Sequence, residues 1–312
     1  MAERSGGILA ENPGRLPAGE SLLSWSVPEH RLVPGPAAGP ATPGHDAPDH
    51  SSPGHSFPGQ TTDVADSWLI DDGLVRGLHH HAARFTESCR GQHGVATVAT
   101  TEFLDAACAA LPRSGRWFPR VEFEAGVGFR LRLRPAPPPS AGVVLGRADG
   151  PDRRTNPAVK GPDLPMLISI RQRAARQGAG EALLVSGSGT VLEGALSAVL
   201  WWRGDVLCAP PPSLPVLPSV TRRLLFEIAG EIGNEVRFEE CQTEDLDGAE
   251  VWTASALHGI RPVTSWSGEG LTAAPPRRAA GWQARLMDRA VPVDQAAETI
   301  GPGRKAARAS YL

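Results

Sequence analysis

Apolar residues in this chain recur either three and four apart or at every second position, and the two periods mark where helices and strands belong. Order is predicted to begin near Val64: residues 65–70 read as a strand, Asp71-Asp72-Gly73 as a turn, and residues 74–78 as the returning strand of a hairpin. A helix follows over 79–88, and Phe103, Leu104, Ala107, Cys108 and Leu111 repeat at helical spacing over 101–111. Residues 117–124 and 128–134 alternate as an antiparallel pair, with Arg130, Arg132 and Arg134 on one face that is expected to be solvated. Together these elements predict a small α+β layer domain over 61–140.

Residues 141–157 read as a linker. Beyond it a helix is predicted over 164–178, with Leu167, Ile170, Ala174 and Ala175 inward. Short strands at 182–185, 190–196, 198–202 and 206–209, joined by tight turns, point to an antiparallel, barrel-like core rather than a doubly wound sheet. Ser219 opens a strongly amphipathic helix carrying Leu224, Leu225, Ile228 and Ile232, and Gly233 closes it. Strands at 235–239, 250–253 and 260–266 and a helix over 280–289 complete a second domain over 158–290, with a flexible tail over 291–312. The expected fold class is α+β, in two domains.

Composition changes this picture at the N-terminus. Residues 1–60 are dominated by Pro, Gly, Ala, Ser and His, as in the loose repeat Pro43-Gly44-His45, Pro53-Gly54-His55. Such a segment buries too little apolar surface to offset the entropy of ordering it, so a disordered tail is expected, with His45, His50 and His55 solvated. A net charge of -3 with both signs interspersed gives no electrostatic case for nucleic acid or a membrane surface, and leaves small anions open. Cys89, Cys108, Cys208 and Cys241 lie far apart with no C-x-x-C pair, so reduced thiols and no structural zinc are expected. No apolar run is long enough to span a bilayer and no leader pattern follows Met1, which points to a cytoplasmic protein.

Candidate chemistry starts with lysine. Lys160 and Lys305 are the only lysines in a chain with 31 Lys and Arg residues. Arginine replaces a solvated lysine readily but supplies no nucleophilic amine, because its guanidinium stays protonated. Lys160 is therefore either a surviving surface residue or an amine kept for covalent chemistry ahead of a core helix. Ser219 and Thr221 also admit two readings, ordinary helix capping or an anion site built on free N–H groups. Gly187-Ser188-Gly189 lacks the third glycine of a dinucleotide fingerprint, and His79-His80-His81 fan around a helix instead of converging on a metal. Arg203-Gly204-Asp205 is a hairpin turn, and no nucleophile elbow supports a hydrolase.

Five further pieces, in order, resemble one family. His81 with Arg84, then Lys160, GTVLEG at 189–194, LPSVTR at 217–222 and TASALHGIRPV at 253–263 are similar to the motifs of the class IV aminotransferases. These are the fold-type IV enzymes that use pyridoxal 5'-phosphate; they include branched-chain and D-amino-acid aminotransferases and 4-amino-4-deoxychorismate lyases. The resemblance runs over about residues 64–268. It implies an α/β layer domain beside a larger, cofactor-binding pseudo-barrel over 158–290, a homodimer, and an amino acid or 2-oxo acid as the small-molecule partner.

By that resemblance Lys160 is the catalytic residue, holding the cofactor as a Schiff base and shuttling the substrate proton. Glu193 matches the acid that keeps the pyridine nitrogen protonated, its plain alternative being a solvent-facing strand residue. Arg84, Ser219, Val220, Thr221, Ser255 and Ala256 match phosphate-holding positions. His258 and Arg261 are the candidates for a substrate carboxylate. Amino-group transfer is the first activity implied; a lyase releasing pyruvate and 4-aminobenzoate for folate synthesis is the second, and a scaffold without cofactor the third. The chain departs from the family at Asp63 to Trp68, where a glycine-rich strand is usual. It departs also at Asp163, Leu164 and Pro165, where an aromatic residue usually meets the cofactor's ring oxygen, and at Ser219, which replaces a common glycine.

Overall fold

In the computed structural model, which describes residues 20–27, 29–35, 62–268 and 270–300, the chain opens on a hairpin of β1 (Ser21–Ser26) and β2 (Arg31–Pro34). Next come β3 (Val64–Ser67), the short hairpin β4 (Ile70–Asp71) and β5 (Leu74–Arg76), and two helices, α1 (Leu78–His93) and α2 (Thr97–Ala109). After β6 (Arg116–Trp117), the strands β7 (Arg120–Glu124) and β8 (Gly128–Leu133) pair as their alternation predicts. The apolar sides of both helices, with Phe85, Phe103, Leu104 and Ala107, close on Phe129 and Leu131 of β8. Phe103 stacks on Phe129 with 4.8 Å between ring centres.

Strand order in this first sheet is β2-β1-β8-β7-β3, antiparallel throughout. Three expectations are corrected here. Residues 20–27 and 29–35 do not belong to a disordered tail, because β1 pairs with β8 and packs Leu23 and Trp25 onto the core; residues 1–19 and 36–61, with His45, His50 and His55, lie outside the described residues. The strand expected over 65–70 breaks at Trp68, so β3 joins β7 while β4 and β5 enter a separate small sheet with β6. The arginine face is not solvated: Arg120, Arg130 and Arg132 are buried around the carboxylate of Glu122, and Glu20 adds a bond to Arg132 at 2.9 Å. Alternation told which face these arginines share, but not that a fully buried acid sits among them.

The supposed linker contains β9 (Val143–Arg147). There follow α3 (Leu164–Arg176), β10 (Glu181–Val185), β11 (Val191–Gly194), β12 (Ala198–Arg203), β13 (Val206–Ala209), α4 (Val220–Ile232), β14 (Val236–Phe238), β15 (Val251–Ser255), β16 (Gly259–Ser267) and α5 (Ala279–Met287). The large sheet runs β11-β10-β9-β16-β15-β12-β13-β14. It is mixed, not antiparallel, since β9 is parallel to both neighbours and β13 to β14. Bridges from Gly194 to Ser197 and from Thr190 to Gln242 curl it toward closure. Leu224, Leu225 and Ile228 of α4 pack with Trp202, Trp252 and Trp282, as the helical pattern predicts, whereas Ile232 at the end of α4 and Ala175 of α3 are exposed rather than inward.

The chain then crosses back. β17 (Ala290–Pro292) pairs with β5, and α6 (Val293–Ala297) buries Val293 and Ala296 in the first core. Residues 291–300 are therefore structural, and 301–312 lie outside the described residues. Among the described residues no helix is long and apolar enough to cross a membrane.

Candidate active site

A cleft of about 130 Å³ lies where β7 and the end of β8 face α3, β11 and the start of α4. Lys160 enters it from the loop between β9 and α3, which is pinned twice. The carboxylate of Asp163 accepts from the Thr155 amide and hydroxyl, each at 3.0 Å, and from the Asn156 amide at 2.9 Å, folding the loop on itself. The carbonyl of Lys160 accepts from the amide of Ala65 in β3 at 2.6 Å. Close approach makes glycine necessary next door: a Cβ on Gly161 (φ 154°) would lie 2.6 Å from the carbonyl oxygen of Asp63. Burial, then the charges of Arg84, Arg120 and Arg134, lower the Lys160 amine to about 8 against the pull of Asp66. A larger share of the nucleophilic neutral amine is therefore present near pH 7.

At one end stands Arg84. Its Nε and Nη2 donate to the two oxygens of Asp66, both at 2.8 Å, while His81 Nδ1 meets Asp66 at 2.7 Å and Arg84 Nη1 donates to the carbonyl of Pro218 at 2.9 Å. Burial raises the fully buried carboxyl of Asp66, but Arg84 and His81 outweigh it and hold it well below the usual carboxylate range. Gly77, the left-handed N-cap of α1 at φ 58°, lets this helix start come within contact of α4, since a Cβ there would lie 3.1 Å from Leu224. Ser219 caps α4 by accepting from the Arg222 amide at 3.2 Å. The amides of Val220 and Thr221 meet no acceptor among the described residues, so they are the donors left for an anion.

The turn between β15 and β16 brings Ser255 and Ala256 to the same cleft. Helix α5 clamps it: Gln283 accepts from the Ile260 amide at 2.7 Å and donates to the carbonyl of His258 at 3.0 Å. Arg76 donates to the carbonyl of Ala256 at 3.1 Å.

Glu193 is buried in β11 and takes its bonds on Oε1, from Arg154 Nη1 and from the Leu217 amide at 2.9 Å; Oε2 has no partner among the described residues. Burial raises its carboxyl while Arg154 pulls it back. In another corner Arg261, 5% exposed, reaches Glu181 at only 3.4 Å, and Arg171 of α3 spends its Nε on the carbonyl of Gly180 at 3.0 Å. Burial, with Arg261 and Arg171 nearby, pushes the His258 imidazole down to about 3, so it is neutral at physiological pH.

All the residues singled out by resemblance, from Arg84, Lys160 and Glu193 to His258 and Arg261, line this one cleft. Sequence reasoning missed their supports: Asp66, Asp163, Arg154 and Arg171. A lone acid in the apolar strand β3 was the available signal for Asp66; Arg154 lies in what read as a linker and carries no local mark.

The Amino-transferase class IV family matches residues 63–266. A Mycobacterium tuberculosis protein named bifunctional aminodeoxychorismate lyase / D-amino acid transaminase is 32% identical over 182 residues, 51% of this chain and 62% of that protein, so the chain spans under two thirds of this relative's length. A hypothetical aminotransferase from Mycobacterium tuberculosis shares the fold. Its apo form aligns at TM-score 0.69 and 20% identity over 88% of this chain and 99% of that one. Its PLP-bound form aligns at 0.62 and 22% identity over 86% and 97%. With the family match covering more than half of its length, this chain belongs to the class IV aminotransferases.

Proposed function

We propose that the protein is an enzyme that uses pyridoxal 5'-phosphate to move an amino group between an amino acid and a 2-oxo acid. One observation carries the reading: a lysine amine lowered to about 8 shares a single cleft with free helix N–H donors beside Arg84 and with a buried carboxylate that keeps one oxygen open. An amine for an aldehyde, donors for a phosphate and a carboxylate for a ring nitrogen form a set that fits this cofactor. Lys160 would hold it covalently, Glu193 would meet its ring nitrogen, and Arg84, Val220, Thr221 and the Ser255–Ala256 turn would hold its phosphate, with Ser219 shaping the helix start. When bound, the cofactor supplies an electron-withdrawing ring that takes up the electron pair of the bond broken at the substrate carbon.

The chain's own residues do the rest. Lys160 Nζ, displaced by an incoming amine, is the base placed to take the α-proton and return one. Arg261 meets the carboxylate of Glu181 at only 3.4 Å, the charge of Arg171 bears on Arg261, and with neutral His258 they form a corner suited to a substrate carboxylate. The Mycobacterium tuberculosis relative carries both a lyase and a transaminase name, which keeps pyruvate release from aminodeoxychorismate as the second reading. A homodimer is proposed on the family's habit of placing its sites near a dimer interface, and light scattering tests it.

The deciding experiment adds pyridoxal phosphate to the purified protein, follows the visible band, reduces with borohydride and maps the label. Label on Lys160, followed by amino transfer to a 2-oxo acid, supports the first reading; pyruvate without an acceptor supports the second. No band, or label confined to Lys305, ends both.

A further inference from the structure

We infer that Arg154 is a positioning residue for the ring-nitrogen end of the cleft: backed by Asp152, it holds Glu193 as a carboxylate with Oε2 open to a protonated nitrogen and anchors the segment bearing the phosphate donors. The inference rests on the reading of Glu193 proposed above.

Every nitrogen of this guanidinium is engaged, and its side chain is 3% exposed. Nε donates to both oxygens of Asp152 at 3.1 and 3.0 Å. Nη2 donates to Asp152 at 2.9 Å and to the carbonyl of Pro215 at 2.8 Å, while Nη1 donates to Glu193 Oε1. Charges along the row alternate: Asp152 negative, Arg154 positive, Glu193 negative. A protonated nitrogen at Oε2 continues the alternation at zero net charge along the row, and the nearby charge of Arg222 also bears on Glu193 and favours its carboxylate form. Such a row favours a ligand whose ring nitrogen is protonated over one with carbon at that position. Burial pushes Glu193 toward its protonated form, which holds a cation poorly, and Arg154 works against that push. The planar fork reaches three acceptors at once, which a lysine ammonium does not reproduce.

The same contacts couple two ends of the cleft. Pro215 is tied to Arg154, Leu217 to Glu193 and Pro218 to Arg84, all within the short segment that runs into Ser219, Val220 and Thr221. Displacing Arg154 therefore loosens one of the ties on the segment that presents the Val220 and Thr221 amides.

The test compares affinity for pyridoxal phosphate with affinity for its 1-deaza analogue, in which C–H replaces the ring nitrogen. The wild type is expected to prefer pyridoxal phosphate by about tenfold or more, the equivalent of one pKa unit. Arg154→Gln is expected to shrink that preference to about twofold, as Glu193→Gln does, with Arg154→Lys between. A preference unchanged in Arg154→Gln, even with both ligands bound more weakly, would reduce Arg154 to a structural brace and overturn the inference while leaving the proposed function intact. A wild type that binds neither ligand would remove the proposed function itself. Ligand-free melting curves show which variants fold; should Arg154→Gln fail, Asp152→Asn removes one charge from the row, and a preference unmoved there overturns the inference equally.

Discussion

The amide of Ala65 donates to the carbonyl of Lys160 at 2.6 Å, so the residue carrying the reactive amine is fixed, backbone to backbone, to the edge strand of the other domain. The next residue on that strand, Asp66, holds Arg84 and His81. One strand thus sets the spacing between the amine and the arginine, and its free edge is covered by the lysine loop instead of being left to pair with another chain.

Gly161→Ala tests this backbone contact. Its Cβ would fall 2.6 Å from the Asp63 oxygen and 2.8 Å from the Asp63 carbonyl carbon, backbone atoms that cannot swing aside. The expected cost is about 1–3 kcal/mol of stability, as for other overpacked sites, together with a weakened capture of pyridoxal phosphate because Lys160 moves with its neighbour. A melting point within a degree of the wild type and unchanged capture would show that the loop yields freely.

Asp66→Asn keeps the shape and removes the charge. Arg84 would then stand without its acid, and breaking a buried pair from one side costs about 3–5 kcal/mol. The pH dependence follows the same pair: because the folded-state carboxyl is held below its usual range, its contribution is complete above about pH 4, the unfolded value, and is lost as pH falls further. Urea midpoints between pH 2 and 6 should therefore converge for variant and wild type at the acid end, and parallel curves would contradict this account.

How much of this was legible in the sequence depended on distance. Leu224, Leu225 and Ile228 announced α4 because one-sided burial imposes helical spacing locally; Glu193 and Thr221 were legible because each sits inside a short motif, and Lys160 because lysine is so scarce in the chain. Their supports act across the fold: Asp66 lies 18 residues from Arg84, and Arg154 lies 39 from Glu193. Strand β9 escaped because its pairings with β10 and β16 are parallel, so no hairpin turn advertises them. The burial of Arg130 and Arg132 escaped because alternation fixes a residue's face and is silent about Glu122 and Glu20 opposite.

Covalent capture should report the state of Lys160. The neutral amine is the nucleophile, and with the group lowered to about 8 its fraction rises with pH and levels off above that value rather than above the ordinary 10.5. Rates of band formation between pH 6 and 10 measure this directly. Lys160→Ala should give no reducible adduct while keeping its melting point within a few degrees.

Gln283→Ala should act from outside the cleft. This side chain holds the Ile260 amide and the His258 carbonyl, the two sides of the turn that presents Ser255 and Ala256. Losing both bonds should cost about 1–3 kcal/mol of local order and weaken pyridoxal phosphate several-fold, with the Lys160 capture profile against pH unchanged. A shifted profile would mean that the turn reaches the lysine as well.

The N-terminal hairpin separates the two accounts of residues 20–35 most sharply. As a disordered tail, its removal would leave stability untouched. As β1 and β2 it pairs with β8, sets Trp25 against Phe103 at 6.2 Å and supplies Glu20 to the buried Arg132. Deleting residues 1–35 would open the edge of β8, expose part of the first core and leave Glu122 and Glu124 to balance Arg120, Arg130 and Arg132 without Glu20. Lost apolar burial and the broken Arg132 pair together make a cost on the order of 3–5 kcal/mol. Because Arg120 lines the cleft, pyridoxal phosphate binding should weaken along with stability. Trp25→Ala isolates the packing share, about 2 kcal/mol for a half-buried ring, and should leave binding within about twofold. Equal melting points for the deletion and the full chain would return these residues to the status of a tail.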